Sequence, residues 1–258
     1  VLTSVEKEGL YLDTEFNQKL LEEYKPKIDA ARQAIYDLPR VKKFTKKYNQ
    51  GKIERYIESI YQELEELDYN DPKDKRKIDS RQQKISNIRA GIFTTKKEQE
   101  LIRPLNLSSP VDLPQLMYSD SGFKFPVIKN NESGKPSTDE DTLVELRLTV
   151  KDPESPKAIF LDKLLELRGL QKMYTTYIEG WHEKVQDDSR LHGRYNIHGT
   201  DSNRFSSADP NMQQIPKTSV DPNIKKQLVA PPGYLYMAFD YSQAELRMMA
   251  HLSGDETY

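Results

Sequence analysis

Leu235-Tyr236-Met237-Ala238-Phe239-Asp240-Tyr241-Ser242-Gln243-Ala244-Glu245-Leu246-Arg247 carries an alternating apolar stretch into a carboxylate and then into a helical pattern. Leu235, Met237 and Phe239 alternate with Tyr236, Ala238 and Asp240, the period of a strand. Ser242 stands where it would cap a helix over Gln243 to Leu252, and Gly254 where it would close that helix. The pattern predicts a strand that delivers Asp240 at its end, beside the free backbone groups of a turn. A carboxylate so placed can hold Mg2+, which takes one or two protein carboxylates and keeps water and substrate phosphates. Phosphoryl chemistry with two metals about 3.5–4 Å apart needs a second bridging acid. Glu245 would point from the first helical turn, and Asp255 lies beyond the helix end. By its residues alone Asp240 also reads as a plain strand-end acid, and Ser242-Gln243-Ala244-Glu245 as a capping box.

The rest of the chain frames this segment. Its 258 residues leave room for one large domain or two modest ones. With no cysteine, thiol nucleophiles, disulfide scaffolds and Cys-ligated metal sites are excluded, and a cytoplasmic setting is the expectation. No apolar run is long enough to span a membrane, and Glu6, Lys7 and Glu8 interrupt any secretory signal at the start. The net charge of -2 hides an uneven distribution, because residues 40 to 103 hold most of the basic excess. A basic segment is compatible with nucleic acid binding, and equally with a solvated helical face.

Glu8-Gly9-Leu10-Tyr11-Leu12 reads as a short extended stretch before an N-cap at Asp13. Phe16, Leu20, Tyr24, Ile28, Ala31, Ile35 and Leu38 lie on one helical face that Pro26 should kink and Pro39 should end. A second helix is expected from about Ile53 to Leu67, and a third carrying Ile78, Ile85, Ile88 and Ile92, packed as a hairpin. Lys42, Lys43, Lys46, Lys47 and Lys52 would lie near one turn, and Lys73, Lys75, Arg76 and Lys77 near another. The proline-rich stretch between Pro104 and Pro136 reads as loop with short helical pieces. Ser137-Thr138-Asp139-Glu140 then has the form of a capping box, Ala158 to Glu179 reads as helix, and Arg194 to Ile197 as a short strand.

Asp240 to Arg247 closely resembles motif A of the family A DNA polymerases, differing from the family form Asp-Tyr-Ser-Gln-Ile-Glu-Leu-Arg only at Ala244; Ala250-His251-Leu252-Ser253 continues the match. Asn203-Arg204-Phe205-Ser206-Ser207-Ala208-Asp209-Pro210-Asn211-Met212-Gln213-Gln214-Ile215-Pro216 is similar to the family's Gly-Arg-Leu-Ser-Ser-x-Asp-Pro-Asn-Leu-Gln-Asn-Ile-Pro. Two long motifs in the right order and spacing make chance a poor explanation. Weaker similarities are carried by Arg190 to Asn196, Arg168 to Lys172, Leu107 to Pro110, Gly134 to Glu140 and Glu6 to Leu10.

The resemblance implies an α+β fold: a helical thumb over 1–150, then the first half of an antiparallel-sheet palm of a right-hand polymerase over 151–258, with fingers and the rest of the palm absent. It implies template-directed addition of deoxynucleotides to a primer 3′ end by two-metal-ion phosphoryl transfer. Asp240 and the Tyr241 carbonyl would be ligands to Mg2+, the second aspartate coming from a missing segment. Glu245 would crowd the sugar 2′ position, and Tyr241, Ser242, Gln243 and Glu245 would line the nucleotide site. Arg204, Gln213 and Asn211 would contact primer–template DNA, and Lys172, Lys135, Ser137 and Thr138 would hold its phosphates. The basic helices over 40–103 would grip the duplex. Asn203, Phe205, Gln214 and Ala244 depart from the family form, and Lys217 and Lys225 stand near where arginine is common; none of these removes a metal ligand. The sequence ends at Tyr258, soon after motif A. The implied partners are therefore primer–template DNA, deoxynucleoside triphosphates and a second polypeptide bearing the fingers and the second metal aspartate. The alternative is a non-catalytic primer–template-binding subunit.

Overall fold

The structure is a computed structural model that describes residues 2–201 and 204–254; Asn203 and Asp255 lie outside the described residues. The elements run α1 (Leu2–Glu8), β1 (Leu10–Tyr11), α2 (Thr14–Tyr36), α3 (Pro39–Glu65), α4 (Pro72–Arg89), α5 (Lys96–Gln99), α6 (Asp112–Tyr118), α7 (Glu140–Thr149) and α8 (Pro156–Lys172). A π-helical turn, Met173–Ile178, leads to α9 (Glu179–His182), β2 (Arg190–Leu191), β3 (Arg194–Asn196), β4 (Ser206–Ala208), α10 (Pro222–Lys226) and α11 (Ala244–Ser253). The fold is mostly helical with two small antiparallel sheets, β1 with β2 and β3 with β4. Among the described residues no helix is long and apolar enough to cross a membrane. The chain packs as two compact units, residues 26–171 and residues 1–25 with 172–258.

In the unit of residues 26–171, α3 and α4 form the helical hairpin expected from their isoleucine spacing. Ile60, Leu64, Ile78, Ile85 and Ile88 are its buried seam. Pro39 and Pro72 sit at the first turns of α3 and α4, where a missing N–H costs nothing, and Asp71 caps α4 by accepting from the Lys73 N–H at 2.8 Å. Because α3 begins at Pro39, Lys42, Lys43, Lys46, Lys47 and Lys52 lie along a helix and not at a turn. Ile92 is half exposed beyond the end of α4. A second core gathers Phe123, Phe125 and Phe160, with the rings of Phe123 and Phe160 stacked at 4.3 Å, and Leu143, Leu146, Leu161 and Leu164 are buried in the same unit. The capping box expected at Ser137 is displaced by two residues. Asp139 is the N-cap of α7, accepting from the Thr142 N–H at 2.7 Å, since an ionised carboxylate is the stronger acceptor. Bonds from Thr142 and the ammonium of Lys129 hold the Asp139 carboxyl well below the usual carboxylate range.

In the other unit, Leu12, Leu20, Tyr177, Ile178, Trp181, Leu191 and Ile224 are buried, with Tyr177 and Trp181 edge to face at 5.6 Å. Buried Asn17 donates to the Ile178 carbonyl at 2.9 Å and to Gln227 Oε1 at 2.7 Å, so a polar side chain in this core is fully engaged. Pro26 breaks nothing: α2 is continuous from Thr14 to Tyr36, with Asp13 accepting from the Phe16 N–H at 2.9 Å at its start. Arg194 pairs with Ala208, Tyr195 with Ser207 and Asn196 with Ser206, so the strand expected from Arg194 forms one residue short of Ile197. A Cβ at Gly199 would fall 1.8 Å from Ser206 Oγ, so the link between β3 and β4 closes only over glycine.

The expected strand Leu235 to Phe239 is corrected. No described residue forms a ladder with it, and Leu235, Met237, Phe239 and Tyr241 are 90%, 77%, 88% and 88% exposed. An isolated segment has nowhere to place its N–H and C=O groups but water, so alternation alone does not make a strand. The Tyr236 hydroxyl, by contrast, bonds to the backbone of Tyr11, and burial raises its pKa. The Ser242 cap is corrected as well. Helix α11 begins at Ala244 behind Gln243, whose φ of 50° and ψ of 43° are left-handed, and no side chain caps it. An N-cap needs extended backbone, which Gln243 does not have. Gly254, at φ 65°, closes the helix as expected.

Candidate active site

Arg204 and Glu245, 41 residues apart in sequence, meet as an ion pair between the guanidinium and Glu245 Oε1. Arg204 is held locally: its N–H donates to Thr200 Oγ1 at 3.0 Å and its carbonyl accepts from the Thr200 hydroxyl at 2.8 Å. Glu245 lies in the first turn of α11. The pair therefore brings the two polymerase-like motifs together. Asp240 and Tyr241 stand just ahead of α11, exposed, and among the described residues no hydrogen bond or ion pair engages the Asp240 carboxylate. Ser242 and Gln243 form the exposed turn between them and Glu245. The left-handed Gln243 costs on the order of 1 kcal/mol, a cost that clusters where side chains are presented for function.

Ser207 organises the other motif. Its buried hydroxyl donates to the Pro210 carbonyl at 3.4 Å and accepts from the Met212 N–H at 3.1 Å, and Met212 is itself buried. Asn211 then accepts from the Gln213 N–H at 3.0 Å, and the Gln214 carbonyl accepts from Tyr177 at 2.7 Å. The turn fixes the backbone while the Gln213 side chain stays exposed. Lys172 is the exposed last residue of α8, immediately before the π-helical turn, a departure from α geometry that recurs at functional sites.

In residues 26–171, Lys135 is exposed on the tight turn bridged by Asn130 and Pro136. Ser137 is buried, and its hydroxyl accepts from the Asp139 N–H at 3.1 Å while its carbonyl accepts from Tyr118. The Thr138 carbonyl accepts from Arg168. Sequence reasoning missed Arg168, Tyr118 and Ser207, the residues that hold these loops. Ser207 stood inside a quoted motif and Arg168 inside a quoted similarity, but nothing local marks Tyr118 or Arg168 as partners of Ser137 and Thr138.

Among the described residues no cluster of three His, Asp or Glu side chains could hold a metal ion. The free Asp240 carboxylate and the neighbouring Tyr241 carbonyl are hard oxygen donors. They fit Mg2+ as part of a ligand set completed by water, phosphate or a further acid.

These features place an exposed acid just ahead of a helix that is ion-paired to an arginine loop, on a mostly helical scaffold. A profile of DNA polymerase family A matches residues 75–258, and the chain belongs to that family. It is 39% identical over 153 residues to DNA polymerase I of Pseudomonas aeruginosa, covering 58% of this chain and 16% of that protein. It is 38% identical over 156 residues to the thermostable DNA polymerase I of Thermus aquaticus, covering 59% of this chain and 18% of that protein. The POL domain of Pol1 from M. smegmatis, solved in complex with DNA primer-template and dNTP, matches at a TM-score of 0.61 and 25% identity, over 99% of this chain and 33% of that one. The chain thus spans less than a fifth of the length of these curated relatives.

Proposed function

We propose that this chain is part of a DNA-directed DNA polymerase that extends a primer 3′ end with deoxynucleotides by two-metal-ion phosphoryl transfer. Residues 1–150 serve as the thumb and 151–258 as the first half of the palm. The single observation behind the reading is the Arg204–Glu245 pair, which joins two motifs of the family in one site. Asp240 and the Tyr241 carbonyl would hold Mg2+. When bound, Mg2+ supplies charge stabilisation to the transferring phosphoryl group.

The chain's own residues do the rest. Glu245, kept in place by Arg204, fills the space a ribose 2′-hydroxyl would need, and Tyr241, Ser242 and Gln243 border the incoming nucleotide. Arg204, Gln213 and Asn211 face the minor groove of the primer–template, where acceptors are shared among base pairs and can be read without sequence preference. Lys172, Lys135 and Thr138 hold phosphates, with Ser137 shaping the loop that presents them. The basic hairpin of α3 and α4 grips the duplex, and the setting is cytoplasmic. The exposed Leu235, Met237, Phe239 and Tyr241, continued by Met248, Met249 and Leu252 on α11, are the surface onto which the fingers and remaining palm dock, carried on a second polypeptide or on more of the same chain.

The test is Asp240→Ala in a polymerase reconstituted with the complementary part. Incorporation should fall by at least about a thousandfold with primer–template affinity nearly unchanged. Retained incorporation would refute the ligand assignment. Duplex binding with no incorporation by the reconstituted, unmutated protein would favour the non-catalytic subunit.

A further inference from the structure

The first turns of α3, the 120–123 turn and the start of α8 enclose a cleft of about 680 Å³ within the unit of residues 26–171. No motif similarity above covers its lining, and Arg40, Lys43 and Lys47 at its wall are set apart here from the basic residues of α3 and α4 that grip the duplex. Leu38, Pro39, Pro156, Ile159 and the ring of Phe123 form its apolar floor. Arg40, Lys43 and Lys47 stand along one wall. Arg40 donates to the Gly122 carbonyl at 3.0 and 2.7 Å and lies over the Phe123 ring at 5.4 Å, so it is rigid, but a carbonyl leaves its charge unpaired. Lys43 and Lys47 are one helical turn apart, exposed, and among the described residues neither has an ion pair. The wall's acid, Asp120, is already taken by Lys124 at 2.9 Å.

We propose that this cleft is a docking site for an acidic peptide segment of a partner protein, one that carries apolar side chains among its carboxylates. Three cations without a carboxylate of their own call for anions. Two ammonium groups at i and i+4 repel each other until an anion lies between them. The floor decides the class of ligand: a phosphodiester backbone has no apolar surface to bury there, whereas aromatic or aliphatic side chains do. The volume suits a few side chains, within the range of ordinary ligand sites.

The experiment uses the full chain and fluorescence anisotropy with a labelled peptide, Asp-Phe-Glu-Asp-Leu-Phe. Two control peptides replace its acids by amides or its apolar residues by serine. Binding should be about tenfold weaker for each control, and about tenfold weaker again for the protein carrying Lys43→Glu and Lys47→Glu, as expected when charges at an interface are reversed. Both lysines are exposed, and an unchanged circular dichroism spectrum confirms that the variant folds. Equal binding of the serine peptide would reduce the effect to charge alone and overturn the proposal. So would undiminished binding by the variant. Displacement of the peptide by a duplex oligonucleotide whose own binding also falls in the variant would reassign the wall to nucleic acid and overturn it too.

Discussion

Replacing Glu98 by Gln should weaken the fold in a way that vanishes in acid. Glu98 is 1% exposed and forms a capping box with Thr95 at the start of α5. Burial alone would raise its pKa. The N–H groups of Thr95 and Thr94, at 3.0 and 2.7 Å, together with the Thr94 hydroxyl and Lys84, outweigh burial and bring it down from 4.5 to about 2. Lys84 Nζ is 3.4 Å from Glu98 Oε1, an ion-pair distance on an oxygen that accepts no hydrogen bond among the described residues. A carboxyl whose folded pKa lies below its unfolded value stabilises the fold above the unfolded pKa, and that contribution is lost as pH falls through the folded pKa. At about 1.4 kcal/mol per unit, the contribution is roughly 3 kcal/mol at pH 7 and roughly 1 at pH 3. Urea denaturation of the unmutated chain and of Glu98→Gln, at pH 7 and pH 3, isolates this carboxyl from the others. The stability gap between the two proteins should shrink by about 2 kcal/mol over that range. A gap that stays constant would show that Glu98 acts through packing and not through its charge.

Three further outcomes follow from the other unit. Glu245→Ala should lower discrimination against ribonucleotides by tenfold or more in the reconstituted polymerase, measured from competing incorporation; unchanged discrimination would leave Glu245 as a partner of Arg204 only. His192 bonds to the Glu6 carbonyl at 2.8 Å and to Asp188 at 3.0 Å, which raises its pKa above 6.5. The raised value means that this tether on α1 is fully present below pH 6.5 and weakens as pH climbs through the folded value. After correction for the intrinsic pH dependence of exchange, amides of α1 should be less protected at alkaline pH, and His192→Gln should remove that dependence. Leu235→Asp with Phe239→Asp should reduce binding of a hydrophobic dye by the isolated chain and leave its stability within about 0.5 kcal/mol, because both side chains are already in solvent. A large loss of stability would mean that the segment is packed.

Sequence periodicity located the helices that bury one face. Ile60, Ile78, Ile85 and Ile88 of α3 and α4, and Phe160, Leu164, Leu167, Tyr174 and Tyr177 in the next run, became core, because a helix satisfies its own backbone and needs only an apolar stripe to choose its side. Caps were less legible. Asp13 and Gly254 act as read, but Asp139 displaced Ser137, and the turn at Gln243 left Ser242 without a helix to cap. Competing acceptors one or two residues apart are settled by charge and local backbone, which a pattern does not rank.

What the sequence determined by itself is therefore the helical scaffold and the family, since the motifs ending at Pro216 and Arg247 are contiguous strings whose chemistry is written in order. What tertiary structure decided is how those strings combine. It paired Arg204 with Glu245 across 41 residues, buried the Ser207 hydroxyl under the Asn211–Gln213 turn, and left Leu235 to Phe239 without a ladder. The physical reason is the same in each case: a helix closes its hydrogen bonds within four residues, whereas a strand and an ion pair each need a partner that proximity in sequence does not supply.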